Sequence, residues 1–290
     1  MKQWIVNSAF LICLWGNHFA VAQDVVIKEG SYEGRPQYVV TTPTASWWFD
    51  RAGGGFSRLI DDEGRDWISF HKEPLSKFPD SAAAGYRGLP NCVFVGPDKG
   101  AGHPGFDRCE SKLVGANQIV TMSKSGDWQW RWTFYPSFAE FEMLKAGKDP
   151  WWFLYEGPVG GRYAPKVSYW ATDTESAPQR TIPDNSSQRF GLWQTFYAGA
   201  DGCSNAIVVH QVQRDQLQDT VWYLGSSDRG AASSENGMIV FGFGRGKGTK
   251  PLLTGKGQQF RVALIDIPPD QPPTPKQIQA VARSFDPTKE

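Results

Sequence analysis

Trp128, Trp130, Trp132 and Phe134 alternate with Gln129, Arg131 and Thr133. Successive side chains of an extended chain point to opposite faces, so this spacing lines four rings along one face and polar groups along the other. A helix would scatter the same residues around its circumference. The segment is therefore a strand with one buried face. Tyr135-Pro136-Ser137 reads as a turn into a second strand over residues 138–144, where Ala139, Phe141 and Met143 face one way and Glu140 and Glu142 the other. The hairpin predicts Arg131 opposite these carboxylates.

The same grammar recurs along the chain, and strands are predicted over residues 37–42, 46–50, 56–61, 92–95, 112–122, 151–156, 166–171, 192–197, 206–212, 220–224, 238–243 and 258–265. Aromatic residues make up 14% of the chain beside 31 Gly and 20 Pro, the composition of aromatic strands joined by many turns. Helical spacing occurs over residues 275–285, where Thr274 is placed to cap and Pro275 to open the helix. Ile278, Val281, Ala282 and Phe285 form its apolar stripe. The expected fold is all-β, two large antiparallel sheets packed face to face over residues 23–267, followed by a proline-rich spacer and short C-terminal helix over residues 268–290.

The first 22 residues read as a secretory signal peptide. Lys2 precedes an apolar run from Ile5 to Trp15, and Ala20-Val21-Ala22 fits a small-x-small cleavage site, so a secreted or periplasmic location is expected. No later stretch reaches the roughly 20 apolar residues that span a bilayer. The balance of 30 basic and 30 acidic side chains argues against nucleic acid as a partner. In an oxidising compartment Cys92 and Cys109, which bracket the glycine-rich residues 96–107, are expected to form a disulfide, leaving Cys203 as a buried thiol.

The meander from Trp128 to Glu156, with Trp47-Trp48-Phe49-Asp50 to Trp67 before it and Gly237 to Phe243 and Phe260 to Ile265 after it, resembles the galactose-mutarotase-type β-supersandwich. That fold is shared by sugar mutarotases, by β-sandwich domains of polysaccharide lyases and by carbohydrate-recognition domains of some glycoside hydrolases. The histidine-centred motifs of the true mutarotases are absent. The resemblance implies a carbohydrate-active protein acting on a polysaccharide or oligosaccharide, with lyase-type elimination on an acidic glycan ahead of mutarotation or hydrolysis. A non-catalytic glycan-binding module is the alternative from another class. A fold does not by itself carry a function, so the site is argued from its residues.

Two loops combine turn residues with reactive groups. Gly85-Tyr86-Arg87-Gly88-Leu89-Pro90-Asn91 carries a phenol, a guanidinium and a carboxamide, and Gly102-His103-Pro104-Gly105-Phe106-Asp107 carries an imidazole. Elimination needs one group to neutralise a uronate, a second to take the adjacent proton and a donor to the leaving oxygen. Tyr86, Arg87, Asn91 and His103 are the candidates. Glu156, at the end of an aromatic strand, with Arg162 and Tyr163 in the following glycine turn, is a candidate for binding substrate. The same residues also suit passive sugar binding, and local ion pairing of the arginines is their structural alternative.

His210 reads as a half-buried strand residue, and His71, at a strand end, suits either a structural or a catalytic role. Asp61, Asp62, Glu63 and Asp66 fit a hairpin turn and lack EF-hand spacing, so no metal is expected. Gly53-Gly54-Gly55 and Gly242-Phe243-Gly244-Arg245-Gly246 precede no helix, which leaves a nucleotide cofactor without support. Some of the 13 tryptophans are expected to reach the surface and stack on sugar rings.

Overall fold

The computed structural model describes residues 25–72, 83–162, 164, 166–180, 187–224, 237–269 and 271–288. The segment read as a signal peptide lies outside them, as does Tyr163. Strands β1 (Val26–Tyr32), β2 (Arg35–Thr41), β3 (Ser46–Asp50) and β4 (Gly55–Ile60) precede a single helical turn, α1 (Ala83–Tyr86). Next come β5 (Cys109–Val114), β6 (Gln118–Ser123), β7 (Gln129–Phe134), β8 (Ala139–Lys145), β9 (Phe153–Gly157), β10 (Ser168–Thr172), β11 (Arg189–Gly191) and β12 (Thr195–Ala200). The chain continues through β13 (Asn205–Gln211), β14 (Asp219–Leu224), β15 (Met238–Phe243), β16 (Arg245–Gly246), β17 (Lys250–Pro251), β18 (Gln259–Asp266) and α2 (Pro275–Ser284).

Among the described residues these strands form four antiparallel sheets, where two were expected. An eight-stranded sheet runs β10-β12-β13-β18-β8-β7-β6-β5, two four-stranded sheets run β1-β2-β3-β4 and β11-β14-β15-β9, and β16 pairs with β17. The division falls at residues 88 and 89, where only single bridges, Leu89 to Phe56 and Gly88 to Glu156, span the space between β4 and β9. Both four-stranded sheets pack on the eight-stranded one. Phe56 of β4 meets Trp132 of β7 at 4.8 Å between ring centroids, while Phe153 of β9 stacks on Phe260 of β18 at 4.3 Å. Phe241 of β15 stacks on Phe196 of β12 at 4.1 Å. The alternating aromatics fill this interface because inward residues of facing sheets must interdigitate.

The predicted hairpin forms, with Trp132 opposite Phe141 in β7 and β8. Arg131 pairs with Glu142, whereas Glu140 pairs with Arg261 of β18 at 2.7 Å. The strand predicted over residues 112–122 is two strands, because Gly115, at φ 64°, turns the chain between β5 and β6. Residues 92–95 are not a strand, since their main chain bonds to a neighbouring loop: Val93 N–H donates to Ala101 O at 3.0 Å.

Helix α2 covers the outer face of the eight-stranded sheet. Its Ile278 and Ala282 and the following Phe285 pack with Tyr169, Tyr197, Val208 and Ala263, the residues alternate to those facing the core. Thr274 caps it in a reciprocal pair with Gln277. No helix among the described residues is long and apolar enough to cross a membrane.

Candidate functional site

Strand β9 has two different faces. Phe153 and Tyr155 point into the core, so Leu154 and Glu156 point out of it. On β14 the same parity sends Val221 and Tyr223 inward and leaves Trp222 and Leu224 on the other face. These outward residues, with Trp152, form one wall of a cavity of about 370 Å³. The opposite wall is the loop over residues 91–106, which contributes Asn91, Val93, Phe94, Lys99, His103 and Phe106, and Tyr86 stands at the rim. The volume lies at the small end of the roughly 300–1,000 Å³ usual for small-ligand clefts.

Asp50 anchors the loop. Its carboxylate accepts from Arg35 Nε at 2.5 Å, from the main-chain N–H of Ala52 and Gly53 at 3.0 Å, and from Gly105 N–H at 2.9 Å. Arg35 also donates to Phe106 O and Asp107. Gly102 N–H donates to Gly53 O at 2.9 Å, and a side chain at Gly102, φ 86°, would lie 2.9 Å from Cys92 Cβ. The expected Cys92–Cys109 disulfide is absent: Cys92, Cys109 and Cys203 are free, buried thiols. Ion pairing and main-chain hydrogen bonds close the loop in its place. Burial pushes the Cys92 and Cys109 thiols well above their ordinary value.

Of the sequence candidates, Tyr86, Asn91, His103 and Glu156 meet at the cavity. Arg87 does not. It is buried behind the wall, where Nη1 donates to Ser69 O at 2.9 Å and Nη2 to Gly237 O at 3.2 Å. Arg162 is exposed and does not line the cavity. His103 Nδ1 lies 2.6 Å from Pro104 O and Nε2 lies 2.8 Å from Tyr86 O. Carbonyl oxygens face both nitrogens, so the ring ties the loop to α1 and both nitrogens are turned to the main chain. Burial lowers its pKa against the opposing pull of these carbonyls. His71 contacts Glu33, and His210 bonds Thr195 within the eight-stranded sheet, where burial lowers its pKa to about 4.

Glu156 is buried, and the one hydrogen bond to its carboxyl among the described residues comes from Asn91 Nδ2 at 2.9 Å. Desolvation raises its pKa to about 7, against the attraction of Arg245 and the Asn91 bond. Its main chain is fixed by paired bonds with Gly88 at 2.9 and 3.0 Å. A carboxyl poised near neutrality, with one oxygen uncommitted, can both give and take a proton.

Arg245 escaped sequence reasoning, as did the aromatic walls around it. Its guanidinium lies 4.3 Å from the Trp222 ring and 5.0 Å from that of Trp152. Gly244, at φ 63°, turns the chain out of β15, and Asp219 holds the corner by accepting from Gly244 N–H at 2.9 Å and Trp193 N–H at 2.8 Å. A clue lay in the sequence: Trp152, Leu154 and Glu156 share parity opposite to Trp151, Phe153 and Tyr155. That parity gives the strand two apolar faces, the second of which must be covered by a loop or a ligand. The acidic run near Asp61 is a turn as expected, since the Asp61 carboxylate accepts from Glu63 N–H, Arg65 N–H and Trp67 Nε1.

No family model matches the chain, and no curated protein matches its sequence. Solved structures do match its fold. A putative mutarotase, YeaD, from Salmonella typhimurium aligns over 83% of this chain and 94% of its own at 11% identity, with a TM-score of 0.54. The protein HI1317 aligns over 84% of this chain and 97% of its own at 9% identity, with a TM-score of 0.53. The chain thus has a weak but consistent structural resemblance to these two structures, one of them described as a putative mutarotase. At such identities the likeness concerns the fold alone.

Proposed function

We propose that this chain is an exported carbohydrate-active enzyme that carries out proton transfer on a saccharide seated in the cavity between β9, β14 and the loop over residues 91–106. The observation that carries the reading is Glu156: a buried carboxyl with its pKa raised to about 7, held by Asn91 on one oxygen and facing an aromatic-walled cleft. Glu156 exchanges the proton, Asn91 orients it, and Trp152 and Trp222 offer ring faces to the sugar. Paired-carboxylate hydrolysis fits less well, because Glu156 is the sole carboxyl among the described residues lining this cavity. Elimination and mutarotation both remain open to a single acid–base group.

The test is turnover by the purified chain on neutral and uronate-containing saccharides, followed by the ultraviolet absorbance of unsaturated products and by anomer exchange in NMR. Glu156→Gln should abolish whichever reaction is seen while sugar binding persists. Full turnover in that variant would remove Glu156 from the chemistry. A second reading, a glycan-binding module without catalysis, is favoured by the aromatic walls and by the engagement of both His103 nitrogens. Saccharide binding with no turnover across the panel selects it.

A further inference from the structure

Arg245 is 5% exposed, and its Nη1 has no hydrogen-bond partner among the described residues. The indole N–H groups of Trp152 and Trp222, which sandwich it, are also without partners. Unpartnered indoles occur in the apolar core too, at Trp47 and Trp132, so the arginine carries the argument. A buried cation without an acceptor is costly, and it faces the same cavity as Glu156 with no ion pair between the two. The ring contacts at 4.3 and 5.0 Å supply cation–π attraction but no hydrogen-bond acceptor, so the N–H groups of the guanidinium are left for a ligand. All three unpartnered groups are donors. What completes them is an acceptor-only group with several oxygens, presented in the plane of the guanidinium. Lys99, another lining residue, adds a second positive charge at the mouth.

We propose that Arg245, clamped between Trp152 and Trp222, is a subsite for an anionic substituent of the saccharide, a carboxylate, sulfate ester or phosphate ester. The proposal rests on the cavity being the saccharide site, and it transfers the anion-binding role once expected of Arg87 and Arg162 to a residue neither loop contains. Burial holds Arg245 below its ordinary value, at about 10, which leaves it cationic near neutrality. Desolvation of Glu156 leaves that carboxyl largely uncharged below about pH 7, so it competes little for the arginine. The other polar side chains facing the space, Asn91, Tyr86, His103 and Thr249, add no carboxylate to it.

The experiment is calorimetric titration of the wild-type chain with glucose, glucuronate, glucose 6-sulfate and glucose 6-phosphate, and with inorganic sulfate alone. At least one acidic sugar should bind about tenfold or more tightly than glucose, the worth of one charge-assisted hydrogen bond. Which acidic sugar gains most identifies the anion. Arg245→Gln should erase that preference, so that acidic sugars bind no more tightly than glucose. Should that variant fail to fold, Trp222→Ala and added salt, which weaken the same contact, should narrow the preference in the intact chain. Equal affinity for neutral and acidic sugars in the wild type overturns the subsite and leaves the saccharide cavity standing. Sulfate binding that depends on Arg245, without binding of any sugar, supports the anion subsite and overturns the saccharide reading. Sulfate binding that survives Arg245→Gln is an adventitious ion only and counts against the subsite.

Discussion

Arg87 and Arg245 are both buried, and burial pushes both guanidinium groups down to about 10. Their surroundings differ in kind. Arg87 donates to the main-chain oxygens of Ser69 and Gly237 and so fastens the segment after α1 to two distant stretches of chain. Arg245 has indole rings on its flanks and an unpartnered nitrogen. The contrast separates a structural buried cation from a functional one. Burial and a shifted pKa are common to both; what tells them apart is that Arg87 bonds two main-chain oxygens, whereas Arg245 lies against two indole rings and lines the cavity.

The sharpest way to break this comparison is to replace each arginine by methionine, which keeps much of the volume and removes the charge. Arg87→Met removes hydrogen bonds to two carbonyl oxygens at roughly 1–3 kcal/mol each, so a loss of about 4 kcal/mol is expected in denaturant unfolding. Arg245→Met removes a charge that no described residue neutralises by direct contact, and stability should hold or rise by about 1–2 kcal/mol. Equal destabilisation by both would show that Arg245 is structural after all.

A somewhat smaller effect separates the two faces of β9. Glu156 has its folded pKa raised to about 7 from an ordinary 4.5, so between those values the folded chain keeps a proton that the unfolded chain has lost. Stability from this group therefore falls as pH rises from about 4.5 to about 7 and is flat on either side, by up to about 3 kcal/mol in all. Glu156→Gln should match the wild type near about pH 4 and exceed it near about pH 8, measured by unfolding midpoints. Asp219, raised to about 8 by burial, keeps its own contribution of the same sign in both proteins. Parallel profiles for wild type and variant would mean that the cavity is wet enough for Glu156 to ionise freely.

The legible and the hidden parts of the molecule divide along the same line. Period-two aromatics revealed β7, β8, β9, β14 and β15, and Thr274, Pro275 and the apolar stripe that follows revealed α2, because these signals are local. Which loop lies over which strand face is not local. Tyr86, Asn91, His103 and Glu156 were found by residue type and do meet, but Arg87 shares their loop and turns the opposite way, a choice set by contacts with Ser69 and Gly237 far along the chain. Arg245 was passed over because its glycine-rich setting was weighed as a nucleotide loop. The disulfide was misjudged for a related reason. Spacing brought Cys92 and Cys109 together, and the ion pair of Asp50 with Arg35, invisible in the sequence, already closed the loop.

The least disruptive change sharpens the comparison by adding a third cation. Lys99 lines the same cavity but is exposed, with Nζ 4.9 Å from the centre of the Phe94 ring. An exposed charge is solvated in both folded and unfolded chains, so Lys99→Ala should leave the unfolding midpoint unchanged. Its field still reaches an approaching anion at low ionic strength. Association of an acidic saccharide should slow by about two- to threefold in the variant, with dissociation unaffected, and the difference should vanish in high salt. Arg245→Gln should do the reverse, speeding dissociation with little change in association, because a buried contact breaks late. Stopped-flow binding at two salt concentrations reads both. If Lys99→Ala speeds dissociation as much as Arg245→Gln does, the anion sits at the mouth on Lys99, and the clamp of Trp152 and Trp222 around Arg245 is packing alone.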